Sequence, residues 1–277
     1  MKARLLIPVL ALLSLKAHAG TPPPPAEWLA GIANNGKLVM FTSDNPKSTI
    51  KVKVSGLQKR EKLLGIDLRP ATGELYGLGS TSRIYSINWE TGVATAIGSG
   101  PFAPALEGTS FSFDFNPTVD RIRIMSDTGQ NLRAHPDTGA VVFIDGTLAF
   151  EAGDANEGVT PDVVAAAYTN SDNDPNTGTA LYDIDSTLDA LLLQVSANGG
   201  VLNTVGSLGV NATDIAGFDI SGPSGIAYAS LVVKGKGGGG KSAIYTIDLG
   251  TGAATLLGKF KGRGRLTSLT VIGSVED

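Results

Sequence analysis

Three aspartates, Asp67, Asp114 and Asp219, each sit near the end of a short β-rich run that leads into a Pro- or Gly-bearing turn. Carboxylates that recur at one register of a repeat can gather round a shared axis. Gathered there, they could bind a cation or act as acid and base in glycoside cleavage. The equivalent positions of two further runs hold Ala167 and Thr270, which leaves the ring incomplete. An aspartate beside a turn has a second use, because its side chain readily accepts from the turn's backbone. Spacing alone leaves both uses open.

A second constellation, Asp172, Asp174 and Asn176, places oxygen ligands at alternate positions ahead of Gly178. Calcium wants six to eight oxygens, so calcium binding is one expectation here and a polar turn is the other. The run departs from the helix–loop–helix calcium pattern: Thr177 stands where Gly is expected, and strands flank the segment. Gly235 to Ser242 formally satisfies the phosphate-loop pattern. That chemistry needs a helix next, and 243–248 reads as a strand, so a glycine loop is expected. His135 precedes a turn with no nucleophile elbow in the chain. The chain has no cysteine, which excludes disulfides, thiol nucleophiles and thiolate metal sites.

The elements that must position these residues are announced by a repeat. The string RIYSIN at 83–88, with Thr91-Gly92 and VATAIG at 93–98, returns as AIYTID at 243–248, Thr251-Gly252 and AATLLG at 253–258. A repeated strand–turn–strand unit implies an array of small sheets. Five inner strands are predicted at 64–69, 111–116, 163–169, 214–220 and 266–272, roughly 50 residues apart, in the range of propeller blades. Second strands follow the first four, at 74–79, 121–126, 179–186 and 225–233, and hairpins supply third and fourth strands.

The fifth inner strand has no second strand after it. At the other end, 28–33, 37–43 and 50–56 form three strands without an inner partner. Joining the ends gives an all-β, five-bladed propeller of four-stranded blades over 28–273 and removes two open sheet edges. A bulky row (Ile66, Phe113, Ala166, Phe218, Leu269) alternates with a small row (Gly65, Ser112, Ala165, Gly217, Ser268), as interdigitating blades require. A β-sandwich is the alternative architecture. Two longer connections, 99–110 and 146–162, each lead from an outer strand to the next inner one. They should emerge on one face and present Glu107, Glu151, Asp154 and Glu157 to a ligand.

The N-terminus reads as an address. Lys2 and Arg4 precede an apolar stretch and Ala17-His18-Ala19, the order of a secretory signal peptide over 1–19, with a Pro-rich spacer over 20–27. Export to the periplasm or the medium is expected, with no transmembrane segment. Losing Lys2, Arg4 and Lys16 with the signal takes the formal net charge from −4 to −7, and no nucleic-acid partner is expected. Lys47, Lys51, Lys53, Lys59, Arg60 and Lys62 gather on the sector that ring closure brings beside Lys259, Lys261, Arg263 and Arg265. The one hundred residues between Arg133 and Lys234 contain no cation. A basic sector could dock an acidic polysaccharide or a lipid head group, or be plain solvated surface.

The run from Leu64 to Gly79, the strings from Phe113 to Arg123 and from Gly129 to Arg133, and Ala167-Tyr168-Thr169-Asn170 resemble the secreted bacterial family filed as domain of unknown function 4394. The resemblance implies an exported repeat protein and brings no catalytic residues. Two functions follow as expectations. One is a non-catalytic binding or scaffold module for a glycan, lipid head group or protein surface, with calcium as a possible stabiliser. The other is a glycan-cleaving hydrolase or lyase using Asp67, Asp114 and Asp219, which requires those carboxylates to face an open pocket.

Overall fold

The computed structural model describes residues 25–235 and 240–275; the signal-peptide expectation lies outside them. Every regular element among the described residues is a strand. The first blade holds β1 (Glu27–Ala33), β2 (Lys37–Thr42) and β3 (Ile50–Lys53). The second holds β4 (Leu63–Leu68), β5 (Leu75–Gly79), β6 (Arg83–Ile87) and β7 (Ala94–Ile97). The third holds β8 (Phe111–Asn116), β9 (Arg121–Ser126), β10 (Asn131–Ala134) and β11 (Val141–Ile144). Then come β12 (Ala149–Phe150) and the fourth blade: β13 (Val163–Tyr168), β14 (Leu181–Asp185), β15 (Ala190–Ser196) and β16 (Val201–Ser207). The fifth holds β17 (Ala212–Ile220), β18 (Ala227–Val233), β19 (Ser242–Ile247) and β20 (Ala254–Lys259), and β21 (Leu266–Ser274) ends the chain.

The C-terminal strand completes the first blade. The order there is β21-β1-β2-β3, with Leu29 opposite Val271, Ala30 opposite Thr270 and Gly31 opposite Leu269. The inner strands β4, β8, β13, β17 and β21 pack in a closed circle, each on the next. The protein is a five-bladed β-propeller.

Burial follows the alternation. Each interface between adjacent blades has its own apolar cluster, such as Tyr76, Leu78, Phe113 and Phe115 between the second and third. The small row lies where inner strands touch most closely. A Cβ at Gly65 would stand 2.6 Å from Phe113 Cβ, and one at Gly217 would stand 2.5 Å from the Ser268 carbonyl carbon, so neither position admits a side chain.

Two local departures have clear causes. The strand expected over 50–56 stops at Lys53, because Ser55 leaves the blade to bridge Val93 of the second. Within the connection expected as a loop over 146–162, β12 pairs in parallel with β16 and gives the fourth blade a fifth strand. Asp154 fixes that connection by accepting from Thr204 N at 2.7 Å and Thr204 Oγ1 at 2.8 Å. Among the described residues, no helix is long and apolar enough to cross a membrane.

Candidate functional site

The channel has two ends of different character. Asp67, Asp114 and Asp219 do converge, each buried near the end of its inner strand, with carboxylate oxygens within 4.8 Å of one another. Their bonding is to strands and not, as an aspartate beside a turn would suggest, to the turns that follow them. Asp67 Oδ2 accepts from Phe115 N at 2.7 Å, Asp114 Oδ1 from Tyr168 N at 2.9 Å and Asp219 Oδ2 from Val271 N at 2.6 Å. Each acceptor therefore holds the inner strand of the following blade. Asp67 and Asp219 also accept from the next residue in their own strands, Leu68 N at 2.7 Å and Ile220 N at 2.6 Å.

Thr270, which breaks the aspartate register in the first blade, joins the cluster instead. Its Oγ1 lies 2.9 Å from Asp67 Oδ1 and 3.0 Å from Asp219 Oδ2. A hydroxyl has one proton, so it can donate to only one carboxylate; the second contact is satisfied when the other carboxyl carries a proton. Burial, followed by repulsion from Asp219, raises the Asp67 pKa well above the ordinary range. Burial, with Asp67 and Asp219 nearby, does the same for Asp114, and burial pushes Asp219 up to about 6. The arrangement can share protons or hold a cation. The cavity that Asp67 and Asp219 line with Glu27 and Ser171 measures about 180 Å³, below the roughly 300–1,000 Å³ of ordinary ligand pockets.

Further polar groups fasten the blades. Arg69 of the second blade pairs with Asp120 of the third through Nε at 2.9 Å and Nη2 at 2.5 Å, and with Asp137 at 2.7 Å. Arg123, only 1% exposed, donates to Asn131 Oδ1 (2.8 Å), Asp145 Oδ2 (2.5 Å), Asn198 Oδ1 (2.9 Å) and Tyr168 OH (3.1 Å). Glu27 of the first blade accepts from Ser221 Oγ at 2.5 Å and Ser224 Oγ at 3.0 Å of the fifth. The strings that carry the family resemblance supply Arg69, Asp120, Arg123, Asn131 and Tyr168 of these contacts, so much of their chemistry is blade-to-blade attachment. Asp183 on β14 is fully buried. Among the described residues, its two oxygens, Oε1 of neighbouring Gln194 and Ser112 Oγ make no well-formed hydrogen bond, and burial, only partly offset by the Gln194 amide and Arg123, pushes its pKa up to about 7.

The other expected residues lie elsewhere. Asp172, Asp174 and Asn176 occupy an exposed turn. Asp172 Oδ1 accepts from Asp174 N at 2.9 Å, and Asp174 Oδ1 accepts from Asn176 N at 2.9 Å and Nδ2 at 2.8 Å. Glu157 accepts from Gly153 N at 2.8 Å. His135 Nδ1 accepts from Asp137 N at 3.2 Å in its own turn. Residues 236–239 of the phosphate-loop pattern lie outside the described ones, and β19 follows them as the expected strand.

The opposite end of the channel is open. Where the chain enters the inner strands, a cavity of about 600 Å³ is lined from all five blades, including Leu64, Phe111, Val164, Ala216 and Thr267. Arg60 and Lys62 form part of its wall, with Asn34, Asn35, Thr109, Ser110 and Asp214. None of Glu107, Glu151, Asp154 and Glu157 lines it. The turn bearing the two cations is pinned by Glu61, whose carboxylate accepts from Gln58 N (2.9 Å), Thr81 Oγ1 (2.6 Å) and Tyr85 OH (2.5 Å). Sequence reasoning placed Arg60 and Lys62 in a basic sector but did not find the mouth. The signal was their position immediately before an inner strand.

No curated protein matches the chain. A solved structure of a protein of unknown function from Bacteroides thetaiotaomicron is 13% identical with a TM-score of 0.52, over 91% of this chain and 66% of that one, so this chain spans 66% of its length. A Bacteroides uniformis structure provisionally assigned as a 6-phosphogluconolactonase is 12% identical with a TM-score of 0.41, over 85% of this chain and 82% of that one. The sequence profile described as Domain of unknown function (DUF4394) matches residues 37–270, and the chain belongs to that family.

Proposed function

We propose that the protein is an exported, non-catalytic binding module whose ligand enters the open mouth where the chain leads into the inner strands. The observation that carries this reading is the contrast between the two channel ends. The entry mouth offers about 600 Å³ with polar side chains over an apolar floor, the usual make-up of a ligand site. The acidic end offers about 180 Å³. There, both oxygens of Asp67 and of Asp219 already accept from backbone N–H groups. Carboxylates occupied in that way weigh against the glycan-cleaving alternative, which needs them facing substrate across a cleft. The signal-like N-terminus supports export, to the periplasm or beyond.

The test is a glycan and lipid array probed with the folded chain and with Asp214→Trp. Asp214 is exposed and lines the mouth, and its carboxylate has no hydrogen-bond or ion-pair partner in the described residues. Binding that the bulky indole abolishes, without product release from any polysaccharide, is the expected result. Release of product that Asp114→Asn abolishes would replace this reading with the enzymatic one.

A further inference from the structure

The mouth has a chemical polarity that narrows the ligand, and we infer that it takes an acidic sugar, a uronate-bearing oligosaccharide whose carboxylate is held by Arg60 and Lys62. This inference rests on the binding-module reading above. Arg60 and Lys62 flank Glu61, but the Glu61 carboxylate is occupied by Gln58, Thr81 and Tyr85 and forms no salt bridge with either. Neither cation has a side-chain hydrogen bond or ion pair among the described residues. Arg60 is also held at φ 67°, a backbone conformation uncommon for a residue other than Gly, Asn or Asp. The pinned turn thus presents two uncommitted cations at a cavity wall, and a guanidinium matches a carboxylate in a two-point contact.

The rest of the lining fits a sugar ring. Phe111 and Leu64 supply an apolar floor for a ring face. Asn34 uses its Oδ1 on Arg265 N, and Asn35 its Nδ2 on Arg263 O, which leaves the other atom of each amide for sugar hydroxyls. The Asp214 carboxylate is a further unoccupied acceptor on the wall. An anionic membrane fits less well. The cations lie in a concave wall and not on a protruding apolar face.

Isothermal titration of the folded chain with digalacturonate, galactobiose and anionic phospholipid vesicles tests the inference. The variants are Asp214→Trp and the double variant Arg60→Asn with Lys62→Gln; Asn tolerates the Arg60 backbone conformation. The expected result is digalacturonate binding that weakens with salt, drops at least tenfold in the double variant and disappears in Asp214→Trp, with both variants melting like the parent. Galactobiose binding that is lost in Asp214→Trp but unchanged in the double variant would overturn the acidic-sugar assignment and leave the mouth as the site. Digalacturonate binding indifferent to all three substitutions would overturn both readings. Binding of the vesicles without digalacturonate would replace the sugar by a membrane. Should the double variant melt lower than the parent, the salt dependence of the parent decides: affinity independent of salt overturns the cation contact.

Discussion

The Asp67 carboxylate accepts the backbone N–H of Phe115 at 2.7 Å, and Phe115 is the residue that follows Asp114 on the next blade. The same step joins Asp114 to Tyr168 N and Asp219 to Val271 N. Three of the five contacts between inner strands are therefore stitched by an acid at one register. The carboxylates hold the ring, and they are crowded by doing so.

The two consequences separate by mutation. Asp67→Ala would strip the side-chain acceptor from Phe115 N and Leu68 N, while Thr270 Oγ1 keeps Asp219. Each buried group left unpaired costs about 1–3 kcal/mol, so a loss of several kcal/mol is expected. Asp114→Asn keeps an acceptor for Tyr168 N and removes one charge from the trio. We expect it to melt a few degrees higher than the parent at pH 8 and near the parent at pH 5. Calorimetry at the two pH values reads both variants.

The pH dependence of the parent follows from the raised pKa values. Asp219 titrates at about 6 and Asp183 at about 7 in the folded chain, against 3.8 as their ordinary value. Between those limits the folded chain holds protons that the unfolded chain has released. Stability is therefore fully present below the ordinary carboxylate range and lost as pH rises through the folded values. The melting temperature should fall from about pH 5 to pH 8, opposite to a protein held by depressed carboxylates. Asp183→Asn should flatten the upper half of that fall. A melting temperature level across the range would refute the buried-acid account.

Much of the fold could be read from residue order, because period and alternation are local signals. The run 111–116 is β8 as expected, and the three unpartnered N-terminal strands announced their pairing with the last one. The convergence of Asp67, Asp114 and Asp219 was also legible from shared register. Their acceptance from the next blade was not, since nothing local encodes which backbone lies beside an inner strand. Asp183 had only a weak signal, because in LYDID it shares its strand face with Asp185 as well as Leu181, and the pair reads as an ordinary polar strand end. The parallel pairing of Ala149–Phe150 had none, being two residues long.

Arg123 provides a test of how far attachment between blades matters. Its donors reach Asn131 and Asp145 in its own blade and Tyr168 and Asn198 in the fourth. Lysine offers one compact ammonium in place of a planar fork and cannot meet all four. Each buried acceptor left without its donor costs about 1–3 kcal/mol, and each kcal/mol is worth about 2–4 °C in a domain of this size. Arg123→Lys should thus lower the melting temperature by roughly 10 °C. A change of a degree or less would show that the clamp is dispensable.

For the turn 172–178, the oxygens of Asp172 and Asp174 already cap backbone N–H groups of the same turn. Excess calcium is expected to leave the melting temperature unchanged. A rise that Asp174→Asn abolishes would show that the turn exchanges those caps for a cation.

Closure of the ring is the last and most demanding prediction. β21 pairs with β1 along its length and packs against both β17 and β4, so it contacts three blades at once. Deleting residues 266–277 would leave the inner edge of β1 unpaired and open the apolar clusters that Leu266 and Leu269 complete with Leu29, Phe41 and Tyr228. It would also remove Thr270 and Val271, the partners of Asp219, leaving that buried carboxylate with only its own strand. The loss exceeds the stability of an ordinary domain, about 5–15 kcal/mol, once an edge, a core and a charge are all exposed together. The truncated chain should show no cooperative melting and should aggregate through its open edge. Supplying 266–277 as a separate peptide should restore a melting transition, whereas a peptide carrying Leu269→Asp should not. A truncated chain that melts cooperatively by itself would mean that the four remaining blades form a closed unit without the terminal strand.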